Sequence, residues 1–467
     1  MTRRILRALL SLVLRVFFRR IEVAGAEHVP AEGPVMFVLN HPNSLLDPLF
    51  VLCLAPRRVS FLAKAPLFGM PILGALVRAL DCLPVYRHQD EGQDPARNRE
   101  TFEAARALLA RGGTIAIFPE GTSHSDPMLR PLKTGAARIA LGAATPGGET
   151  LRIVPAGLYY TEKTRFRSEA LVCFGAPIVV DPVPPGPDGE PPAEAVRALT
   201  AHIDHALRSV TMQAAEVEAL TLVARAERIF TAEEAATGSA SESHPANARL
   251  VRAFDRRRRF LAGYQALREQ TPDRLDATRA RLLRYEAELA QAGLEPERLA
   301  PGGFALGPVL RYTVRSLLLF AVLAPAALVG TVVHYPAYRA ARFAARRLAD
   351  DDDVVATVKV LTSMLLFPLT WLALALAVGL GLHAGWLAAL ITFLGAPLAG
   401  FSALAFWERL AGLLAGARAL ALYLFHRRAF HRLLDERRAI HDEILALAAH
   451  LEASSQSPAD EVSSPPR

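Results

Sequence analysis

The stretch Asn40-His41-Pro42-Asn43-Ser44-Leu45-Leu46-Asp47-Pro48 sets an imidazole and a carboxylate six residues apart. Pro42, Asn43 and Ser44 supply turn chemistry between them, so Asp47 can fold back onto the ring of His41. A carboxylate on one ring nitrogen fixes the tautomer and leaves the other nitrogen free to take a proton. Such a dyad suits deprotonation of a substrate hydroxyl. The plainer alternative is a turn in which the His and Asp merely cap a helix.

Three further stretches carry chemistry in the same style. Leu83-Pro84-Val85-Tyr86-Arg87 reads as a strand ending in Arg87, a guanidinium fork suited to a phosphate. Ile117-Phe118-Pro119-Glu120-Gly121-Thr122-Ser123 also begins in a strand. There Glu120 can hydrogen-bond substrate hydroxyls, and Gly121 lets the backbone approach closely. Ile153-Val154-Pro155-Ala156-Gly157 is a strand with apolar walls. His124 follows the second stretch and is a lesser candidate, since a loop His is more often simply solvated. A metal site built from His41, Asp47 and Glu120 is conceivable, but three ligands from scattered turns with no second His pair make a poor set.

The elements that must hold these residues alternate in type. Strand candidates are 35–39, 59–62, 82–86, 114–118, 152–158 and 170–174, with helical patterns at 71–80 and 98–111. Val35-Met36-Phe37-Val38-Leu39 is a continuous apolar run, as expected of a buried strand. His41 therefore falls just past a strand end, where an open sheet forms its ligand crevice. The fold class expected is α/β: an N-terminal mixed, largely parallel sheet flanked by helices, then an all-α C-terminal region with transmembrane helices.

The expected organisation of the 467 residues has six parts. Residues 1–20 form a basic amphipathic helix, either membrane-associated or core-packed. Residues 21–210 form the sheet domain, and 211–310 a helical region with a polar linker near 237–247. Residues 311–407 form a membrane region, followed by a helical stretch at 408–453 and a Ser/Pro-rich, disordered tail at 454–467. Within the membrane region, 360–382 and 386–407 are each long enough to cross a hydrocarbon core of roughly 30 Å, and read as a hairpin. Segment 316–335 is either spanning or re-entrant, broken at Pro325.

Net charge is +7, carried mostly by Arg. No recognition helix or aromatic-and-basic platform accompanies it, so a membrane surface is the expected partner and nucleic acid is not. Arginines flank the apolar hairpin on both sides, which puts the flanks and the sheet domain in the cytoplasm by the positive-inside tendency. The Lys-poor, Ala/Arg/Pro-rich usage suggests a bacterial gene, hence a multi-pass protein of the cell inner membrane. Cys53, Cys82 and Cys173 form no CxxC pair and read as buried thiols.

Taken in order, Asn40-His41 with Asp47, the strand ending at Arg87, Phe118-Pro119-Glu120-Gly121-Thr122 and Val154-Pro155 resemble the four motifs of the glycerolipid acyltransferases. That family contains the glycerol-3-phosphate and 1-acylglycerol-3-phosphate acyltransferases. The resemblance covers about residues 20–210. Five residues separate His41 from Asp47, one more than the common motif, a spacing similar to the larger glycerol-3-phosphate/dihydroxyacetone-phosphate subgroup. The family's usual Arg after Gly-Thr is missing here, and Arg130 or Lys133 stands near enough to replace it. The resemblance implies His41 and Asp47 as catalytic residues and Arg87, Glu120, Gly121, Thr122 and Lys133 as substrate-binding ones. It implies acyl-CoA or acyl-carrier protein as donor, a glycerol phosphate or lysophosphatidate as acceptor, and no cofactor or metal. Two alternatives stay open: the same dyad hydrolysing acyl thioesters, and a non-catalytic lipid-binding platform.

Overall fold

The computed structural model describes residues 2–86, 98–238, 248–299 and 306–456. The chain divides into two compact units, Met1–Ala215 with Ala341–Met364, and Glu216–Ala340 with Leu365–Arg467.

The first unit is an α/β domain on an eight-stranded sheet. Its strands are β1 (Arg20–Ala24), β2 (Val35–Leu39), β3 (Ser60–Lys64), β4 (Leu83–Val85), β5 (Thr114–Ile117), β6 (Arg152–Tyr160), β7 (Glu169–Phe174) and β8 (Ile178–Val179). The order is β1-β7-β6-β2-β5-β3-β4, with β8 beside β6. Pairing is parallel except where β6 meets β7 and β8. The expected mixed, largely parallel sheet is therefore present. It also contains β1 and β8, which the sequence pattern does not reveal. β1 opens on Arg20 at the end of a basic run and is only half-buried, so no alternation marks it. β8 has two residues, too few for a period.

β2 shows why the site lies where it does. All five of its residues are buried, between β5 and β6. Val35, Phe37 and Leu39 point into one core, closed by α1 (Thr2–Phe17) and α2 (Leu46–Leu54). Met36 and Val38 point into the other, under α4 (Asn98–Ala110), α5 (Gly135–Ala143) and α6 (Ala193–Ser209). Each large apolar side chain buried this way contributes about 1.5–3 kcal/mol, so a strand covered on both faces cannot slip register. Behind β6 the packing is tight enough that a Cβ on Gly157 would lie 1.8 Å from the Val210 carbonyl oxygen.

α1 is apolar on both sides. Leu10, Leu14 and Phe17 are buried, while Ile5, Leu9 and Leu12 remain exposed. Arg7 donates to the carbonyl of Cys53 at 2.9 Å, tying α1 to the end of α2. The helix stops at Phe17 and the chain enters β1 at Arg20, so residues 1–20 are not one helix throughout.

The second unit is helical. α7 (Val217–Thr237), α9 (Pro272–Gln291) and α13 (Arg427–Gln456) gather around Ile229, Tyr285, Leu289, Phe430 and Leu433, and α8 (Arg249–Gln270) packs beside these helices. Arg437, wholly buried, donates to Glu233 at 2.7 Å and to the carbonyls of Pro296 and Leu299, both at 2.8 Å. The carboxylate offsets the cost of burying the guanidinium charge, while Nη2 is left without a hydrogen-bond partner.

Three helical stretches among the described residues are long and apolar enough to cross a membrane: Thr313–Leu348, Asp352–Gly381 and Gly385–Phe425. The first lies in α10 (Leu306–Leu348), which runs unbroken through Pro325 and Pro336. The sequence pattern allows a break at Pro325, but no break occurs there. A proline removes one helical hydrogen bond, and a long apolar helix can absorb that loss. Gly330 packs where a Cβ would meet the Ala399 carbonyl at 2.0 Å, and Trp371 donates from its indole to His334 at 2.9 Å. Small residues and polar bridges of this kind hold apolar helices together in lipid.

Candidate active site

His41 stands two residues beyond β2, and Asn40 controls how the chain leaves the strand. The Asn40 carboxamide donates to the Leu158 carbonyl at 3.0 Å and accepts from the Leu158 N–H at 2.7 Å. The backbone then turns sharply. Ser44 adopts a left-handed φ of 41°, which is uncommon for a residue with a side chain. The reversal carries Asp47, in the first turn of α2, back to the His41 ring.

His41 Nδ1 lies 2.7 Å from Asp47 Oδ2. The same oxygen accepts the Asn43 N–H at 2.7 Å, and the other accepts the Tyr160 hydroxyl at 2.7 Å. Asp47 is fully buried, whereas 17% of the His41 side chain is exposed. The pair therefore has a closed end and an open end. With Nδ1–H donated to the carboxylate, Nε2 keeps its lone pair for an incoming proton. Three donors compensate the buried charge of Asp47, which would otherwise be costly. Burial and the neighbouring Asp47 charge raise the Tyr160 pKa well above its ordinary value, so its hydroxyl remains a donor. The His41 ring stacks on Phe118, with centroids 4.0 Å apart and planes 18° from parallel.

Glu120 is held by groups of its own chain. Its side chain is buried. Oε1 accepts the His41 backbone N–H at 3.0 Å, and Oε2 accepts the Arg130 N–H at 2.9 Å. His124 donates to Oε2 as well. Because His124 Nδ1 accepts the Asp126 N–H at 3.1 Å, its proton sits on Nε2, facing the carboxylate. His124 also donates its backbone N–H to the His41 carbonyl at 3.1 Å. Glu120 and His124 thus fasten the second loop to His41.

Gly121 is left-handed at φ 76° and is covered by the Lys133 side chain; an added Cβ would come within 2.6 Å of Nζ. Lys133 is exposed and donates its backbone N–H to the Pro119 carbonyl at 2.8 Å. Thr122 is half-buried beside them. Arg130 is paired with Asp126 at 2.6 Å, and that neighbour lowers the Asp126 pKa. Of the two cations near the Gly-Thr step, Lys133 is therefore the one not engaged by that carboxylate. Arg87 lies outside the described residues. Tyr160, Asn40 and Phe118 belong to the site although sequence reasoning assigns them no role. For Tyr160 the signal is that β6 extends two residues beyond the expected Leu158.

Residues 20–159 match the acyltransferase family model, and residues 242–454 match the C-terminal domain model of glycerol-3-phosphate acyltransferase 2. Over these two stretches the chain is similar to glycerolipid acyltransferases. Glycerol-3-phosphate O-acyltransferase 1 of Saccharomyces cerevisiae is 27% identical over 463 residues, covering 78% of this chain and 59% of the yeast protein. Glycerol-3-phosphate O-acyltransferase 2 of the same yeast is 29% identical over 295 residues, 59% of this chain and 37% of that protein. The chain thus spans between 37% and 59% of these two relatives' lengths. The crystal structure of the 1-acyl-sn-glycerophosphate acyltransferase of Thermotoga maritima aligns with a TM-score of 0.32 and 20% identity, covering 43% of this chain and 78% of that one.

Proposed function

We propose that this protein moves a fatty acyl group from a thioester, acyl-CoA or acyl-carrier protein, to the hydroxyl of glycerol-3-phosphate or 1-acylglycerol-3-phosphate in a membrane. The observation that carries this reading is the 2.7 Å pair of His41 Nδ1 and the buried Asp47 carboxylate, on a His41 side chain that remains partly exposed. In the first step Nε2 takes the proton of the acceptor hydroxyl while its oxygen bonds to the thioester carbonyl carbon. Asp47 stabilises the imidazolium so formed. The tetrahedral intermediate then collapses, the carbon–sulfur bond breaks, and the thiolate recovers the proton from His41. A general base of this kind contributes about 10²–10⁴-fold. Holding both substrates side by side contributes at least as much. The thioester is already activated, so the chemistry asks for no enzyme nucleophile.

Lys133 beside Gly121 is a cation suited to the acceptor phosphate, and Arg87 is a second by its motif. The apolar helices favour a membrane-bound enzyme. The arginines flanking them favour a cytoplasmic catalytic unit. The test is purified full-length protein in liposomes, given radiolabelled palmitoyl-CoA and each acceptor in turn. Label in the acylated glycerol phosphate supports transfer. Label in free fatty acid, unaffected by acceptor, overturns it in favour of hydrolysis. Wild-type turnover by His41→Ala overturns the assignment of the base.

A further inference from the structure

The first two turns of α11 (Asp352–Leu376) are built into the catalytic unit. Thr357 Oγ1 accepts the Leu45 N–H at 3.2 Å. Lys359 Nζ donates to the Thr164 carbonyl at 2.6 Å. Ala356 and Val360 are buried in the same core as Phe37, Leu39 and Phe50. The loop that Lys359 grips reaches the same turn. Lys163, next to Thr164, donates from its ammonium to the Pro42 carbonyl at 3.3 Å, and its own carbonyl accepts the Asn43 carboxamide at 3.4 Å.

The turn from His41 to Leu45 is therefore clasped twice by one helix. Thr357 holds its far end directly, and Lys359 holds its near end through the Lys163–Thr164 loop. Leu45 immediately precedes α2, whose first turn carries Asp47. Any shift of Leu45 moves the carboxylate relative to the ring. The clasp comes from more than three hundred positions along the chain, and from a helix whose next residues, Leu361, Met364 and Leu365, are exposed and apolar.

We propose that Thr357 is a positioning residue for acyl transfer: the start of a membrane helix fixes the turn that sets Asp47 against His41. This rests on the dyad reading above. Thr357 hydrogen-bonds to Leu45 and to neither member of the dyad; it acts by holding the Leu45 amide, which would otherwise be left without its partner.

The experiment uses full-length protein in liposomes with palmitoyl-CoA and glycerol-3-phosphate, comparing wild type, Thr357→Val, Thr357→Ser and His41→Ala. Valine keeps the shape and removes the acceptor oxygen; serine returns it. Thr357→Val is expected to lower kcat about tenfold at unchanged KM for the donor, with Thr357→Ser within about twofold of wild type. Wild-type kcat in Thr357→Val overturns the proposal. So does a loss that serine fails to restore, or a matching fall in melting temperature with KM raised for both substrates, which marks general damage. Turnover in His41→Ala fails the dyad reading itself; an inactive His41→Ala beside a fully active Thr357→Val fails the clasp alone.

Discussion

The Tyr160 hydroxyl donates to Asp47 Oδ1 at 2.7 Å, on the oxygen that His41 does not use. The carboxylate of the dyad is thus oriented by the sheet itself, because Tyr160 is the last residue of β6. Tyr160→Phe removes that donor and leaves a buried charged oxygen with one partner fewer. A hydrogen bond to a charged group contributes about 1.5–3 kcal/mol. The expected outcome is a fall in kcat of about tenfold or more, with KM for the acyl donor unchanged, read in a steady-state transfer assay.

Glu120 separates two pictures of the second loop. If its carboxylate bound the acceptor, Glu120→Gln would chiefly raise acceptor KM. Buried against the amides of His41 and Arg130 and the ring of His124, it acts through the backbone instead. Glu120→Gln is expected to lower kcat and melting temperature together while leaving acceptor KM within about twofold. Acceptor titrations and thermal melts on one preparation check this.

Gly157→Ala is a prediction about packing. The added methyl would meet backbone, the Val210 carbonyl oxygen at 1.8 Å, and not the movable end of a side chain. The expected loss is about 3 kcal/mol of stability, read as a lowered melting temperature. Gly147, with nothing within 4 Å of its Cβ position but φ of 74°, is the comparison site, where strain acts without collision.

Glu190 supplies an acid-sensitive tie. Arg106 at 2.7 Å and Arg138 at 3.2 Å hold its carboxyl below the ordinary range, Arg106 contributing more. The folded state therefore binds this proton less readily than the unfolded chain. The stabilisation is fully present above the unfolded value of about 4.3 and is lost as pH falls through the folded value. Glu190→Gln is expected to flatten the decline in melting temperature between about pH 5 and pH 3. Melts across that range, wild type against variant, measure the difference.

The dyad was legible because its members are close in sequence and the turn between them is written in Pro, Asn and Ser. The central strand was legible because Val35–Leu39 is apolar without interruption, and the membrane helices because their length alone distinguishes them. Tyr160 and Thr357 carry no local sign. Each is an ordinary residue in a strand or a helix until folding brings it to Asp47 or Leu45. The partners of Glu120 are hidden for a related reason: a short motif records which groups a loop carries, while their neighbours decide which way they face. β1 was hidden by the basic residues that open it, since an edge strand needs no apolar face of its own.

The carboxamide of Asn40 meets both the N–H and the C=O of Leu158, groups that a continuing parallel strand would have met with two separate residues. A side chain here impersonates a peptide group. The ladder is carried past the point where the main chain has turned away, and His41 leaves from a fixed platform and not from a loose end. The position of the imidazole is in this way borrowed from the middle of the sheet, at the cost of a single amide.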